Sequence, residues 1–497
     1  MVQGDRTPRS RRTEAARGAV WLSLSSWVAR ITQIVTLLVL ARVLAPSEFG
    51  ILAVAALTYN VVFALTHLGV ADALTYFKDR VEEATRTALT MMIVGASILT
   101  AATWALAPLI AEFFHSTQAI FVLRGFALSI PFDAIAAVPT GRLTRDLSFA
   151  RRAVTDSLPS VIGAGITIGL VINGYPLVGL VVGQVAGSAA NLIVAMLLGP
   201  RRLPGWDTGM ARQLIGYGGY LGAADVVNLA LLNVDYILVG HVLGPYVLGL
   251  YSLAYRICFM PYLSISTVVN GAVFPYYCRL PTVYAKARTA ENVFSLITVL
   301  TVPWCVGLVL FANDIVLLGT KWAPAAGAVR FLSIYAFFLS MILTALKVLK
   351  VVGRTDLVFF CRLLHLALLT GLLAGTIHAG ITVVALDQAV VACAIAVGCA
   401  AWTVRYASLR WIAVVQSAGL PVLCGMSMVA VVLLARLIPA ARAPNWGSLL
   451  SLACLSLAAY AATALIAMPQ PFRSGWAALR GRSDGASHTL QEPDALP

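Results

Sequence analysis

Charge is what this sequence has least of. Asp, Glu, Lys and Arg together make up 11% of its 497 residues, where soluble domains carry roughly a quarter. With 60% hydrophobic residues, no soluble fold could cover the apolar surface that results. Also missing is a GxxxxGK[ST] phosphate loop, which disfavours an ATP-driven pump. The eight cysteines form no CxxC pair, and no histidine stands at zinc-ligand spacing. They read as reduced packing residues, and neither a metal nor a cofactor is expected.

What the chain does have is long apolar runs. A hydrocarbon core of about 30 Å needs roughly 20 helical residues, and fourteen stretches of that length occur. In the first half they cover 18 to 42, 47 to 70, 87 to 111, 118 to 140, 153 to 173, 176 to 199 and 213 to 240. In the second half they cover 246 to 275, 290 to 312, 325 to 349, 356 to 376, 381 to 403, 412 to 435 and 446 to 468. None alternates in polarity as a barrel strand would. Lipid leaves backbone amides no partner outside the segment, so the expected fold is an all-α integral membrane protein with about fourteen spans. The first run is too long for a signal-peptide core, and it reads as a retained anchor.

The net charge of +14 suggests nucleic acid only until its distribution is mapped. Of the 35 basic residues, five lie within apolar runs: Arg30, Arg124, Arg256, Arg330 and Arg362. Four lie in the connections on one side: Arg42, Lys321, Arg436 and Arg442. The other 26 (35 − 5 − 4) fall on the opposite side. By the positive-inside rule that side is cytoplasmic and holds both termini. The charge is a topology signal, and no nucleic-acid partner is expected. No connection exceeds about twenty residues, so there is no room for a soluble catalytic domain.

One internal repeat is visible. LLVLARVLAPSEFGILAVA (37 to 55) aligns with YILVGHVLGPYVLGLYSLA (236 to 254) at an offset of 199, pairing Val43 with Val242, Leu44 with Leu243, Pro46 with Pro245, Gly50 with Gly249 and Ala55 with Ala254. Six spans separate the copies, so both cross in the same direction. Such parallel repeats are a transporter architecture, with the substrate site between the halves near mid-bilayer. The divisions that follow are a basic cytoplasmic N-terminus (1–17), a six-helix bundle (18–199), a second (213–403), two further helices (412–468) and a disordered cytoplasmic tail (469–497).

The stretches VLARVLAPSEFGILAVA, THLGVADAL, VLGPYVLGLYSLAYRI, LLGTKWAPAAGAVRFLSIYAF and VGRTDL carry a resemblance as well. They are similar, over roughly residues 18 to 360, to the polysaccharide transporters, the lipid-linked oligosaccharide flippases of the multidrug/oligosaccharidyl-lipid/polysaccharide exporter superfamily. His67 stands where the family often has an acidic residue before LG, so that carboxylate's role does not carry over. The resemblance implies two six-helix bundles around a central cleft with two added C-terminal helices. It also implies a polyprenyl-diphosphate-linked oligosaccharide substrate, moved from the cytoplasmic to the outer leaflet of the cell membrane for surface polysaccharide synthesis. Polysaccharide polymerase and glycosyltransferases would be its partners. The alternatives are a cation-coupled multidrug antiporter, a lipid II flippase, and a membrane glycosyltransferase or polymerase.

Moving a diphosphate through lipid calls for cations at depth. Arg30 lies about 18 Å from the inner end of the first run and Arg256 about 15 Å from the outer end of the eighth, at 1.5 Å per residue. A mid-bilayer arginine costs at least about 2.5 kcal/mol and so should face the protein interior, where its planar fork suits phosphate. A buried ion pair with Asp225 is the competing role, and Asp225 is also a candidate for a coupling cation or proton. Asn60, Asn228 and Tyr255 are candidate ligands for sugar hydroxyls, with His67, Asn233, Asn270 and Tyr251 behind them; helix-to-helix bonding is the plainer reading of each. Arg124, Arg330 and Arg362 are within snorkelling reach of a helix end. Pro131, Pro159, Pro261 and Pro303 mark expected kinks.

Overall fold

The computed structural model describes residues 8–67, 80–146, 148–200, 202–437 and 445–467. Among them every long element is a helix. In chain order these are α1 (Pro8–Val43), α2 (Pro46–His67), α3 (Val81–Phe113), α4 (Ala119–Ala127), α5 (Ile130–Arg145), α6 (Phe149–Ile172), α7 (Pro176–Leu198) and α8 (Thr208–Pro261). They continue with α9 (Thr267–Arg279), α10 (Val283–Leu310), α11 (Ala326–Val351), α12 (Thr355–Thr376), α13 (Ile381–Ala407), α14 (Trp411–Ala435) and α15 (Trp446–Ala467).

Thirteen stretches of the described residues are long and apolar enough to cross a membrane. One of them, Asn228–Arg279, has 52 residues, a length of roughly 78 Å at 1.5 Å per residue and twice what one pass needs. Gly244 breaks it, with φ 81 and ψ 174, a left-handed conformation that favours glycine. Counted as two passes, it brings the total to the expected fourteen. Large apolar side chains face outward on many helices, as Leu197, Leu423 and Ile466 do, and a bilayer is the solvent that suits them.

The helices differ from the apolar runs at three places. α1 begins at Pro8, ten residues before its run, because Arg, Glu and Ala sustain a helix that hydropathy cannot register. The fourth run is interrupted between α4 and α5, and Pro131 occupies the first turn of α5. Pro261 is followed by a widened π turn over Tyr262–Ser266, whereas Pro159 and Pro303 lie inside continuous helices.

The chain falls into two compact units. The first comprises residues 1–256, 318–328 and 362–387, and the second 257–317, 329–361 and 388–497. In the first, α6 and α7 cross through glycine: a Cβ on Gly163 would lie 2.9 Å from the Gly183 carbonyl oxygen, and one on Gly183 would lie 1.8 Å from Thr167 Oγ1. Small residues are what let helices approach this closely in lipid, where packing replaces the hydrophobic effect. A core of Val62, Leu89, Met92, Ile130, Val138 and Leu214 ties α2, α3, α5 and α8 together. In the second unit α14 and α15 pack on α10 through Val302, Cys424, Met428 and Tyr460. The Tyr460 hydroxyl donates to the Val299 carbonyl at 2.9 Å, and Arg436 pairs with Asp314 at 2.9 Å.

Candidate functional site

The two sequence repeats meet. Pro46 opens α2, and Pro245 follows the Gly244 break in α8. A Cβ on Gly50 would lie 1.8 Å from the Pro245 carbonyl oxygen, and a Cβ on Gly249 would lie 1.7 Å from the Pro46 carbonyl oxygen. The two corners therefore cross reciprocally, each glycine under the other copy's proline carbonyl, all within the first unit.

Two further loops clasp the same corners at repeat-related positions. Lys321 Nζ donates to the carbonyls of Arg42 (3.0 Å) and Leu44 (2.6 Å), and Trp322 Nε1 donates to that of Ala41 (2.7 Å). The unfilled carbonyls at the end of α1 thereby gain donors and a cation, as a helix C-terminus favours. Offset by 199 from Ala41 and Arg42 stand Gly240 and His241. Phe114 packs so closely on Gly240 that a Cβ there would meet its ring at 2.6 Å. The His241 ring stacks on Phe113 at 4.0 Å, and its Nδ1 lies 2.8 Å from the Phe113 carbonyl oxygen.

Of the candidate site residues, Arg256 adjoins this seam through Phe49. Trp322 is fully buried and meets Phe49 edge-on at 5.5 Å, and the guanidinium of Arg256 lies 5.7 Å from the Phe49 ring centroid. Arg256 is half-buried and stands twelve residues beyond Gly244, roughly 18 Å from the corner. Arg30 is half-buried on α1, thirteen residues before Val43, roughly 20 Å from the same end. Tyr255 packs edge-on against Tyr236 at 5.3 Å, and Tyr251 donates to Asp235 at 2.6 Å. Asn60 is exposed and Asn228 half-buried. Asn233 donates to Leu229 within its own helix, and Asn270, in the second unit, is buried against Thr344. The side chains of Asp225 and His67 lie outside the described residues.

Several groups of consequence escaped the sequence reading. Lys321 stood out only as an outside charge, and Trp322 only as part of a stretch that carries the resemblance; neither was given a contact. Asp133 went unremarked in the fourth apolar run, although an acid at such depth is itself a signal. Away from the corners, the first unit is crossed by ion pairs: Glu82 with Arg202 and more distantly Arg142, and Arg80 with Glu83 and Asp207. Among the described residues no cluster of His, Cys, Asp and Glu is arranged to hold a metal ion.

Known proteins are similar to this chain in sequence and in fold. Residues 39–327 match the family described as "Polysaccharide biosynthesis protein". The succinoglycan biosynthesis transport protein ExoT of Rhizobium meliloti (strain 1021) is 24% identical over 74% of this chain and 75% of its own. The teichuronic acid biosynthesis protein TuaB of Bacillus subtilis (strain 168) is 24% identical over 69% and 72%. The lipopolysaccharide biosynthesis protein WzxC of Escherichia coli (strain K12) is 22% identical over 70% and 72%. In fold the chain is similar to the lipid II flippase MurJ in an inward closed conformation, with TM-score 0.75 at 14% identity over 90% of this chain and 98% of that one. A multidrug resistance MATE transporter of the MOP superfamily follows at TM-score 0.58 and 14% identity, over 79% and 98%. With the match covering more than half its length, this multi-pass membrane protein belongs to the polysaccharide biosynthesis protein family.

Proposed function

We propose that this protein flips a polyprenyl-diphosphate-linked oligosaccharide from the cytoplasmic to the outer leaflet. The observation that carries the reading is the pair of half-buried guanidiniums, Arg30 and Arg256, at matching depth behind the crossed corners of the first unit. Cations held that deep in lipid are costly and mark substrate pathways when they face a cavity, and a diphosphate would offer each a bidentate partner. Phe49, flanked by Arg256 and Trp322, connects the anion site to the seam.

The corner end carries Arg42 and Lys321 among few other cations, and the opposite end carries Arg80, Arg86, Arg142, Arg145, Arg151, Arg152 and Arg202. The positive-inside rule therefore makes the corner end extracytoplasmic, with both termini in the cytoplasm. A seam closed there suits a state that loads substrate from the cytoplasm, and transport by alternating access would require the seam to part. Asn60, Asn228 and Tyr255 are the proposed sugar contacts. Polysaccharide polymerase and glycosyltransferases would act on the same lipid before and after it crosses. Membership of a polysaccharide biosynthesis family favours this reading over drug antiport or glycosyl transfer.

The experiment is deletion of the gene followed by lipid analysis, with complementation by wild type or by the Arg30→Ala, Arg256→Ala double variant. Deletion and the double variant should both strand complete lipid-linked repeat units on the cytoplasmic face while the variant still inserts. Unfinished repeat units after deletion would indicate an enzyme instead. Normal export by the double variant would remove the two arginines from the mechanism.

A further inference from the structure

Three arginines of the first unit converge on one carboxylate. Glu82 stands in the first turn of α3, Arg142 in the last turn of α5, and Arg202 in the segment between α7 and α8. Arg202 takes both carboxylate oxygens, Nε donating to Oε2 and Nη2 to Oε1 at 2.7 Å, the two-pronged pairing a guanidinium makes with a carboxylate. Arg142 Nη2 lies 3.8 Å from Oε1, an ion pair too long for a hydrogen bond. Arg86, one turn along α3 from Glu82, acts on the same charge and lies against Gly205, where a Cβ would stand 2.8 Å from its Nε.

Arg142 is the cation this arrangement leaves short. Its side chain is 11% exposed, Nη1 donates to Thr85 Oγ1 at 2.9 Å, and its buried Nε has no hydrogen-bond partner among the described residues. A guanidinium carries several donors, and a buried donor without an acceptor is costly. Glu82 does not supply that acceptor, because both its oxygens are turned to Arg202. A phosphate group brings more oxygens than a carboxylate and can meet two arginines at once.

The ion pair is not what holds the segment in place. Residues 202–207 are fastened along α3 by other bonds: the Gly205 N–H donates to the Arg86 carbonyl at 3.3 Å, Thr90 Oγ1 donates to the Gly205 carbonyl at 2.9 Å, and the Asp207 N–H donates to Thr87 Oγ1 at 3.3 Å. Arg80 also pairs with Asp207. Arg202 is thereby kept beside α3 without Glu82, and Glu82, half exposed, can swing away. The cluster lies at the end opposite the crossed corners, which the charge distribution makes cytoplasmic. Helix ends there stand at the depth of lipid headgroups, where clustered arginines attract anionic lipid.

We propose that Arg142 and Arg202, with Arg86 beside them, form a phosphate-binding site that Glu82 occupies in place of the ligand, and that the headgroup phosphate of the transported lipid displaces Glu82 on loading. That the ligand is the transported lipid rests on the function proposed above; the site itself does not.

The test uses the full chain in an uncharged detergent, with polyprenyl diphosphate as the probe and with Arg30→Ala and Arg256→Ala in place so that the deeper pair does not contribute. Adding Glu82→Gln should tighten binding of the probe roughly two- to fivefold, the worth of an exposed ion pair removed as competitor. Glu83→Gln changes the net charge equally but unpairs Arg80, and should bind as its parent does. Arg142→Gln and Arg202→Gln should each bind severalfold more weakly. Arg202 is exposed, so its variant serves even if Arg142→Gln fails to fold. No gain in Glu82→Gln, or the same gain in Glu83→Gln, overturns the site.

Phosphatidylglycerol and inorganic pyrophosphate are the comparison probes. A Glu82→Gln gain shared by polyprenyl diphosphate and pyrophosphate, and larger than that for phosphatidylglycerol, supports loading of the transported lipid. An equal gain for phosphatidylglycerol assigns the site to the surrounding leaflet and overturns the loading role. If wild type flips no lipid-linked oligosaccharide in vesicles while the Glu82→Gln gain is present, the flippase reading falls and the phosphate site stands.

Discussion

Gly50 and Gly249 each lie beneath the proline carbonyl of the other repeat, so that a methyl group on either would come within 1.8 Å of a backbone oxygen. Backbone on both sides of such a contact cannot turn away as a flexible side chain can. Gly50→Ala or Gly249→Ala should therefore push the corners apart, at the order of 1–3 kcal/mol typical of overpacking. Cysteine pairs placed across the corner would measure it, through a lower cross-linking yield in each alanine variant than in the parent. An unchanged yield in both would mean that the corners are not held at this distance in the membrane.

Lys321 and Trp322 clasp the end of α1 by different means, which two substitutions separate. Lys321→Ala removes two charge-assisted bonds to the carbonyls of Arg42 and Leu44, and Trp322→Phe keeps the packing on Phe49 but loses the bond to Ala41. Lys321→Ala should cost about 1 kcal/mol, and Trp322→Phe, which leaves the buried Ala41 carbonyl without its donor, about 1–3 kcal/mol. Both should raise solvent labelling of a cysteine at position 41 severalfold, because about 1.4 kcal/mol corresponds to a tenfold change in an equilibrium.

How much of this was legible in the sequence depended on the range of the interaction. The spans were, because each apolar run decides its own state in lipid. The Pro46/Pro245 and Gly50/Gly249 matches were legible as a repeat, and identical chemistry at a constant offset is what a reciprocal crossing requires. That the copies touch one another was not, since offset carries no distance. Asp133 draws Tyr59 and Asn191 from 74 and 58 residues away, and Lys321 reaches Arg42 across 279. No local pattern announces such meetings. The helical lead of α1 was missed for the opposite reason, its residues being good helix formers without being apolar.

Asn270 is the sugar-binding candidate whose position argues for a different task. It is buried in the second unit, donates to the Ser266 carbonyl at 2.8 Å and to Thr344 Oγ1 at 3.1 Å, and thereby fastens the helix after the π turn to α11. Asn270→Ala should lower thermal stability by about 0.6–2 kcal/mol, the range for interhelical polar contacts in membranes. The selectivity between competing lipid-linked sugars should be unchanged in the protein that remains folded, as read by a competition flipping assay. A shift in selectivity would restore Asn270 to the sugar site.

The start of α8 should be sensitive to acid, and Asp207 supplies the reason. Its Oδ1 accepts the Met210 backbone N–H at 2.8 Å, capping the helix, and its Oδ2 accepts from Arg80 at 2.8 Å. The Met210 amide first, and Arg80 with it, hold the carboxyl below the ordinary aspartate value. A carboxyl depressed in the folded state adds stability above its unfolded pKa of about 3.9, and that contribution disappears as pH falls through the lower folded value. Thermal melts of the solubilised protein should therefore lose midpoint temperature below about pH 4. Asp207→Asn, which still caps the helix but cannot titrate, should melt lower than wild type near neutrality, where the Arg80 pair is lost, and should fall less steeply in acid. Equal acid slopes for the two proteins would place the acid-sensitive group elsewhere.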